Sequence, residues 1–238
     1  DRVVLDGVRG LLVAHPSPAR EADYDRLARS RAAIQKRLGA LRDEPAVTLD
    51  GHVVDLAANI EVPADVEAAQ ARGARGVGLF RSEYLFMGGG GEPDEERQYE
   101  AYAEVARRTL PAAAIIRTLD LGGDKVAAAG KLAPEDNPFL GWRAIRLCLD
   151  RPSLFKAQLR ALLRASALNP KLRIMYPMIS RAAEVDQANA VLEECKAELA
   201  AAGQDFNPDV EVGAMIEIPS AALTAELIAP KVKFFSIG

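Results

Sequence analysis

The sequence is poor in the side chains that most often serve as nucleophiles and metal ligands, since its 238 residues include only two cysteines and two histidines. Cys148 and Cys195 lie far apart in segments with a helical pattern, and neither stands beside a histidine. We interpret both as small core residues, which argues against a disulfide framework and a catalytic thiol. His15 and His52 have no spaced partners, so neither indicates a metal site or a nucleophilic set.

Long apolar runs and an excess of positive charge are also lacking. No apolar run approaches the ~20 residues that span a bilayer, and the first ten residues, DRVVLDGVRG, do not have the basic-then-apolar order of a signal peptide. The formal net charge of -4 argues against general binding of nucleic acid, which requires clustered cations. We therefore expect a cytoplasmic protein with no nucleic-acid partner and no membrane insertion.

The glycine patterns of nucleotide-binding loops are missing as well. The segment GARGVGLF (73–80) does not have the G-x-G-x-x-G order before a helix, and no G-x-x-x-x-G-K-[ST] occurs. These two kinds of nucleotide site are therefore not expected.

What the sequence contains is one amphipathic segment followed by alternating strand and helix patterns. Four apolar residues at heptad-like spacing predict a helix from about residue 21 to 42. They are Leu27, Ile34, Leu38 and Leu41. After Pro45, short apolar runs alternate with helical segments, which is typical of strand–helix units in a parallel sheet. Six runs predict strands: VVDLAANI (53–60), GVGLFR (76–81), AAIIRTLD (113–120), KLRIMYPM (171–178), EVGAMIEIP (211–219) and VKFFSIG (232–238).

Charged or polar residues stand at the carboxyl ends of four of these runs. They are Asn59, Arg81, Arg117 with Asp120, and Glu217. In a barrel the carboxyl ends of all strands open onto one face, whereas in an open doubly wound sheet only residues near the switch point meet. We therefore predict an α/β fold, an incomplete (β/α)8 barrel of the TIM type with about six of the eight strands, preceded by a linker helix.

Arg81 and Arg117, together with Arg143 in the segment NPFLGWRAIR, are candidates for an anion site. A guanidinium presents a planar fork of donors that suits phosphate or carboxylate oxygens, so converging arginines can hold a small, multiply charged anion. The alternative is that Arg81 and Arg117 pair with the acids nearest to them, Glu83 and Asp120, as structural ion pairs. The sequence leaves both interpretations open.

Two further features near the strand ends can serve a ligand. Glu217 stands in the apolar context MIEIP, where a carboxylate is costly unless it is paired or bound to metal. It is a candidate Mg²⁺ ligand, because such a site can use one or two carboxylates with substrate oxygens; the alternative is a pair with one of the arginines. Gly122 and Gly123 permit close approach of a ligand and Lys125 adds a charge, although a tight turn with a solvated lysine explains them too.

Seven blocks of the sequence, in order, resemble Enzyme I of the sugar phosphotransferase system, the phosphoenolpyruvate-protein phosphotransferase family. The blocks are GVGLFRSEYLFM, IIRTLDLGGDK, NPFLGWRAIR, LRASA, KLRIMYPM, GAMIEIP and FFSIG. The resemblance extends along the whole chain. GGDK is more similar to Enzyme I than to the pyruvate phosphate dikinase relatives that share the barrel, and a multidomain phosphoryl transfer protein with an Enzyme I unit would look the same.

The resemblance implies a reaction and roles for individual residues. It implies that Arg81, Arg117 and Arg143 bind phosphoenolpyruvate and that Glu217 binds Mg²⁺. The intact enzyme would pass the phosphoryl group to a histidine on another domain, which serves the phosphocarrier protein HPr in the first step of sugar uptake. A homodimer is implied as well.

The resemblance also divides the chain. Residues 1–20 would end a phosphohistidine domain, 21–46 would form the linker helix, and 47–238 would form a phosphoenolpyruvate-binding barrel that stops before strands seven and eight. The family's acceptor histidine and acid cysteine have no counterpart here, so we assign no catalytic residue within the chain and expect the chain alone to be inactive. The alternative is a non-catalytic fragment that acts through dimerisation or other interactions.

Overall fold

The computed structural model describes residues 2–87, 92–122 and 141–238. The chain forms two compact units, Asp1–Val54 and Asp55–Gly238. Gly123 and Lys125, singled out above, lie outside the described residues. None of the helices in the described part of the chain has both the length and the apolar character needed to cross a membrane.

The first unit contains two small hairpins and one long helix. Strands β1 (Val3–Asp6) and β2 (Leu11–Ala14) pair antiparallel, as do β3 (Ala46–Val47) and β4 (Val53–Val54). Helix α1 (Pro18–Leu41) confirms the helix predicted from the heptad spacing. It begins at a cap in which Ser17 Oγ accepts the N–H of Arg20 at 3.4 Å. No residue of α1 is buried, so its four heptad residues remain exposed in this unit.

The second unit is a six-stranded parallel sheet that curls into a half-barrel with helices on its outside. The strands follow one another in chain order, and each pairs in parallel with the next. This arrangement confirms the predicted incomplete α/β barrel. The strands are β5 (Ala58–Ile60), β6 (Val77–Arg81), β7 (Ala114–Arg117), β8 (Leu172–Tyr176), β9 (Glu211–Ile216) and β10 (Phe234–Ile237).

One predicted strand differs from the observed structure. The run 53–60 is divided between the two units: its first two residues form β4, and its last three form β5. The α-helices in the described part of this unit are α2 (Asp65–Ala71), α3 (Tyr84–Met87), α4 (Glu95–Thr109), α5 (Ala144–Asp150), α6 (Pro152–Ser166), α7 (Ala182–Ala201), α8 (Pro219–Leu223) and α9 (Ala225–Ile228).

The hydrophobic core lies between the sheet and the helices. Successive strand residues point to opposite faces of a sheet, and aromatic pairs mark the outer face. Phe80 of β6 meets Tyr102 of α4 edge to face with ring centroids 6.1 Å apart, and Tyr176 of β8 meets Phe155 of α6 at 6.1 Å. All four rings are fully buried. Because Arg81 follows Phe80 on the same strand, its side chain belongs to the inner face.

The parallel register aligns inner-face residues of neighbouring strands in one row. Arg81 is paired with Arg117, Arg117 with Met175, and Met175 with Gly213. Gly213 adds no side chain to this row, and a Cβ at this position would collide with the ring of Phe234. The row therefore carries its two arginines side by side at the carboxyl ends of β6 and β7.

Candidate anion-binding site

The carboxyl ends of β5, β6 and β7 surround a pocket of about 280 Å³. All three arginines that the sequence predicted for an anion site line this pocket. They come from two strand ends and from the segment before α5, so the fold brings together residues that are well separated in sequence. The lining residues are Glu61, Arg81, Glu83, Tyr84, Met87, Arg117, Asp120 and Arg143.

Arg81 ends β6 and is the most exposed of the three arginines, with 47% of its side chain accessible. Its Nη1 donates to Glu61 Oε1 at 2.9 Å. Glu61 directly follows β5, and 67% of its side chain is exposed. Ion pairs this exposed contribute little to stability, so another anion can replace Glu61 at Arg81 with little loss of folding free energy.

Arg117 ends β7 and forms the buried centre of the pocket, with 11% of its side chain exposed. Its Nη2 donates to Glu83 Oε1 at 2.7 Å, and its Nη1 lies 3.0 Å from Asp120 Oδ2. Its Nε is buried and has no hydrogen-bond partner in the described part of the chain. The two carboxylates hold the guanidinium in one orientation, and removing either would leave part of a buried charge uncompensated.

Arg143 reaches the same pocket from the segment before α5, where it forms an isolated antiparallel bridge with Gly122. Its Nη2 and Nε donate to Asp120 Oδ1 at 2.7 and 3.2 Å, and its Nη2 also donates to the Asp120 carbonyl oxygen at 3.3 Å. Asp120 therefore joins Arg117 and Arg143 and holds their guanidinium groups close together.

The ion pairs differ in part from those that proximity in sequence suggested. Arg117 does pair with Asp120, but Glu83 pairs with Arg117, and Arg81 pairs with Glu61. The reason is the parallel register: Arg81 and Arg117 are directly aligned, so the acid after one strand lies beside the arginine of the next. Glu61 was missed by the sequence analysis, although its position directly after the first barrel strand was a usable signal.

Among the described residues, three arginines and three carboxylates line the pocket, so the formal charges of these six side chains cancel when all are ionised. A bound oxyanion must therefore compete with acids that already occupy the arginine donors. The exposed pair between Arg81 and Glu61 is the easiest to exchange, whereas Glu83 and Asp120 are close to fully buried. The site is thus suited to a small anion that enters at Arg81 and reaches a guanidinium whose orientation is already fixed.

Glu217 directly follows β9 at the same edge of the sheet but does not line the pocket. Its Oε1 accepts the N–H of Met178 at 2.7 Å. Its hydrogen-bond partner in the structure is therefore a backbone N–H and not an arginine. Met215, two residues earlier on the same face of β9, brings its Sδ to 3.9 Å from Nη1 of Arg117. Among the described residues, no group of three histidine, cysteine, aspartate or glutamate side chains could hold a metal ion.

Two residues with left-handed backbone conformation stand beside these side chains. Ala144, directly after Arg143, has a φ of 51°, and Met178, which donates to Glu217, has a φ of 55°. For a residue with a Cβ this conformation costs roughly 1–2 kcal/mol. Such strain is typical of positions where the surrounding structure holds functional groups in place.

Neither of the two cysteines lines the pocket. Burial, and to a lesser degree the negative charge of Asp120, raise the pKa of Cys148 to about 12. Burial, with Glu198 as the next cause, raises the pKa of Cys195 to about 12. Both thiols are buried and stay protonated at neutral pH, which confirms their interpretation as core residues.

Comparison with known proteins identifies one family and a consistent set of relatives. Residues 35–238 match the model of the family described as "PEP-utilising enzyme, PEP-binding domain", in which PEP stands for phosphoenolpyruvate. The chain is 46% identical, over 238 residues and 100% of its length, to the "Phosphoenolpyruvate-protein phosphotransferase" of Staphylococcus carnosus (strain TM300).

Two further relatives carry the same name. The protein of Bacillus subtilis (strain 168) is 45% identical over 236 residues, or 99% of this chain. The protein of Haemophilus influenzae (strain ATCC 51907 / DSM 11121 / KW20 / Rd) is 44% identical over 238 residues, or 100% of this chain. In each of the three comparisons the chain spans 41% of the relative's length.

Proposed function

Because this chain belongs to the family of PEP-binding domains of PEP-utilising enzymes, we propose that its half-barrel binds phosphoenolpyruvate as part of a phosphoenolpyruvate-protein phosphotransferase. The intact enzyme would transfer the phosphoryl group to a histidine on another domain, which then serves the phosphocarrier protein HPr in sugar uptake. The observation that carries the proposal is the convergence of Arg81, Arg117 and Arg143 on one pocket of about 280 Å³.

The three arginines match the charge distribution of phosphoenolpyruvate, which carries a phosphate and a carboxylate on a three-carbon frame. We assign the phosphate to Arg81 and Arg117, because these two guanidinium groups end neighbouring strands in register. Arg143 supplies a third set of donors from the other side of Asp120. Phosphate oxygens would replace Glu61 at Arg81, since a planar guanidinium fork binds phosphate through two oxygens at once.

The same residues can stabilise the transfer of the phosphoryl group. The bond between phosphorus and the enol oxygen breaks, a bond between phosphorus and the histidine nitrogen forms, and negative charge is spread over the transferring oxygens. Donors that are fixed before the reaction stabilise this charge best, because they need little reorganisation. Arg117 meets this condition, since Glu83 and Asp120 already hold its guanidinium.

Mg²⁺ is the proposed cofactor and Glu217 its proposed ligand. The N–H of Met178 fixes Oε1 of Glu217 at 2.7 Å and so orients the carboxylate at the edge of the sheet. Mg²⁺ commonly binds to one or two carboxylates and takes substrate phosphate oxygens and water as its other ligands, so a lone carboxylate fits this ion. When bound, the ion would neutralise charge on the phosphoryl oxygens and on the enolate.

The organisation of the whole enzyme is a part of the same proposal. We assign residues 1–20 to the end of a phosphohistidine domain, 21–46 to the linker helix and 47–238 to the phosphoenolpyruvate-binding barrel, in a cytoplasmic homodimer. The names of the relatives support a phosphotransferase of this kind over a dikinase.

Calorimetric titration of the 238-residue chain with phosphoenolpyruvate in the presence of Mg²⁺ tests the proposed site. Arg117→Ala should lower the affinity at least about tenfold, because it removes a buried, charge-paired donor. Arg173→Ala is the control: Arg173 also lies on the inner face and pairs with Glu211 at 2.6 Å, but it stands near the amino end of β8. It should leave the affinity unchanged.

Circular dichroism of the wild type, Arg117→Ala and Arg173→Ala shows whether each protein is folded, so that a loss of binding can be distinguished from a loss of folding. The proposal is wrong if the folded wild-type chain does not bind phosphoenolpyruvate. It is also wrong if a folded Arg117→Ala variant binds as tightly as the wild type.

A further inference from the structure

We propose that Gln158 is a positioning residue for this pocket, acting through the backbone of the two strand ends that carry Arg81 and Arg117. The inference rests on the function proposed above. Gln158 belongs to α6 in the outer helical layer and lines no part of the pocket. It reaches the site through a network of buried hydrogen bonds.

The side-chain amide of Gln158 uses its acceptor and both donor hydrogens. Only 1% of the residue is exposed. Its Oε1 accepts the N–H of Leu119 at 2.8 Å, and its Nε2 donates to Ser82 Oγ at 3.2 Å and to the Tyr102 hydroxyl at 2.9 Å. Turning the amide over would set its NH₂ group against the N–H of Leu119 and leave both hydroxyls without their donor. The amide is therefore satisfied in only one orientation.

Ser82 connects Gln158 to both arginine-bearing strand ends. Ser82 directly follows Arg81, and its hydroxyl donates to the carbonyl oxygen of Arg117 at 2.9 Å. The residue is fully buried, so no solvent hydrogen bond competes for this hydroxyl. Gln158 thus fixes the rotamer of a side chain that ties the end of β6 to the backbone at the end of β7.

Leu119 is the second point at which Gln158 holds the site backbone. Strand β7 ends at Arg117, so the N–H of Leu119 takes its acceptor from the helical layer instead of from the sheet. Asp120 comes next, and its carboxylate joins Arg117 to Arg143. A displacement of the backbone at Leu119 would therefore move the acid that sets the separation of two arginines.

Tyr102, the third hydrogen-bond partner of Gln158, is itself held in place by hydrogen bonds. The Tyr102 hydroxyl, which accepts from Gln158, donates to Gln98 Oε1 at 3.2 Å, and Gln98 Nε2 donates to the Pro93 carbonyl oxygen at 3.1 Å. Burial raises the pKa of Tyr102, so its phenol keeps the proton that it donates. Because each amide and hydroxyl in this chain of bonds has its partners, the network favours a single geometry.

A second buried amide shows what a purely structural role would look like. Asn169 is fully buried, donates to the carbonyl oxygens of Ala106 and Ala112 at 3.2 and 3.1 Å, and accepts the N–H of Lys171 at 2.9 Å. Ala112 precedes β7 and Lys171 precedes β8, so this amide ties the backbone at the amino ends of the strands. It makes three bonds, like Gln158, but at the edge of the sheet opposite the pocket.

The test compares the near-isosteric variants Gln158→Met and Asn169→Leu in the full 238-residue chain. Both should lower the free energy of unfolding, because each removes three buried hydrogen bonds. Only Gln158→Met should weaken the calorimetric affinity for phosphoenolpyruvate with Mg²⁺, by about tenfold or more, since small displacements of binding groups are costly. It should also shift the side-chain Nε–Hε NMR signal of Arg117, which Asn169→Leu leaves in place.

Equal affinities of the two variants, whether both are lost or both are retained, would overturn the proposal. If Gln158→Met does not fold, Gln158→Glu replaces it; this variant keeps the acceptor for Leu119 and loses the donors to Ser82 and Tyr102, and it should weaken binding as well. A wild-type chain that does not bind phosphoenolpyruvate would contradict the proposed function, whereas an unmoved Arg117 signal in a folded Gln158 variant would contradict the positioning role alone.

Discussion

The outer and inner faces of the half-barrel are made of alternate residues of the same strands, and they are stabilised in different ways. On the outer face Ile116 and Ile174 are fully buried in the core against the helices. On the inner face Arg117, directly after Ile116, is held by charged side chains instead. Neighbouring positions on one strand thus belong to two environments, one apolar and close-packed and the other ionic and adjoining a pocket.

Along a single strand, the apolar outer face therefore contributes mainly to stability, and the charged inner face provides groups for binding. Close-packed apolar side chains stabilise the fold through surface removed from water, and their loss leaves a cavity. Paired charges contribute little to net stability once their desolvation is counted, but they orient groups that can bind an anion. We therefore expect substitutions on the outer face to change stability, and substitutions on the inner face to change binding as well as stability.

The largest expected effect is on the outer face. Ile174→Ala should lower the free energy of unfolding by about 2–5 kcal/mol, because it removes a fully buried side chain from the core. The affinity of the folded variant for phosphoenolpyruvate should stay within about twofold of the wild type. Urea denaturation and calorimetric titration at a temperature where the variant is folded measure the two quantities. A selective loss of affinity in this variant would contradict the separation of the two faces.

A smaller effect on stability, with a marked dependence on ligand, is expected at Glu83. This carboxylate is 8% exposed and bonds to Arg117 at 2.7 Å. Glu83→Gln should cost about 1.5–3 kcal/mol, since it removes a charge-assisted buried hydrogen bond. A bound phosphate would supply the missing negative charge, so saturating phosphoenolpyruvate should raise the melting temperature of the variant by more than that of the wild type.

Glu184→Gln is the matched control for this substitution. Glu184 is also buried, at 5% exposure, but it bonds to Ser180 and to the N–H of Arg181 and does not line the pocket. Its replacement should destabilise the protein equally with and without phosphoenolpyruvate. If phosphoenolpyruvate raised the melting temperature of both variants by the same amount, the effect at Glu83 would not arise from charge in the pocket.

Much of the fold and of the candidate site could be predicted because both depend on local patterns. The apolar periods located α1 and five of the barrel strands, and the rule that parallel strands open onto one face located Arg81 and Arg117 in one place. Arg143 was proposed for the same site from the segment NPFLGWRAIR, and not from a strand end. Glu217 is at the predicted edge of the sheet. Its contact with Met178 could not be predicted, because it depends on how the segments after β8 and β9 approach one another.

What could not be predicted depends on register and on side chains far apart in sequence. The pair between Glu61 and Arg81 requires the alignment of β5 with β6, which includes a shift between Ala58 and Asn59. The bond from Gln158 to Ser82 joins residues of separate helix and strand patterns, and a glutamine within a helical pattern carries no signal of its own. Such contacts are set by three-dimensional packing and not by the period of any one segment.

The smallest expected effect, and the sharpest test of the inner face, is at Glu61. Because its pair with Arg81 is exposed, Glu61→Gln should change the free energy of unfolding by less than about 1 kcal/mol. The affinity for phosphoenolpyruvate should rise severalfold, since the substitution removes the anion that competes for Arg81. This gain should shrink at high salt, because the interactions of exposed charges are screened. Titrations at low and high salt concentration measure both effects.

Asp55→Asn separates this local competition from a change in net charge. Asp55 is an exposed acid that pairs with Arg75 at 3.4 Å on the amino-terminal side of β5 and β6. The two substitutions change the charge of the protein equally, but only Glu61 lines the pocket. A gain in affinity confined to Glu61→Gln would show that the acid competes with the substrate at Arg81. An equal gain in affinity in both variants would show that the effect comes from long-range electrostatics. A loss of affinity in Glu61→Gln would mean that the acid orients Arg81 for binding.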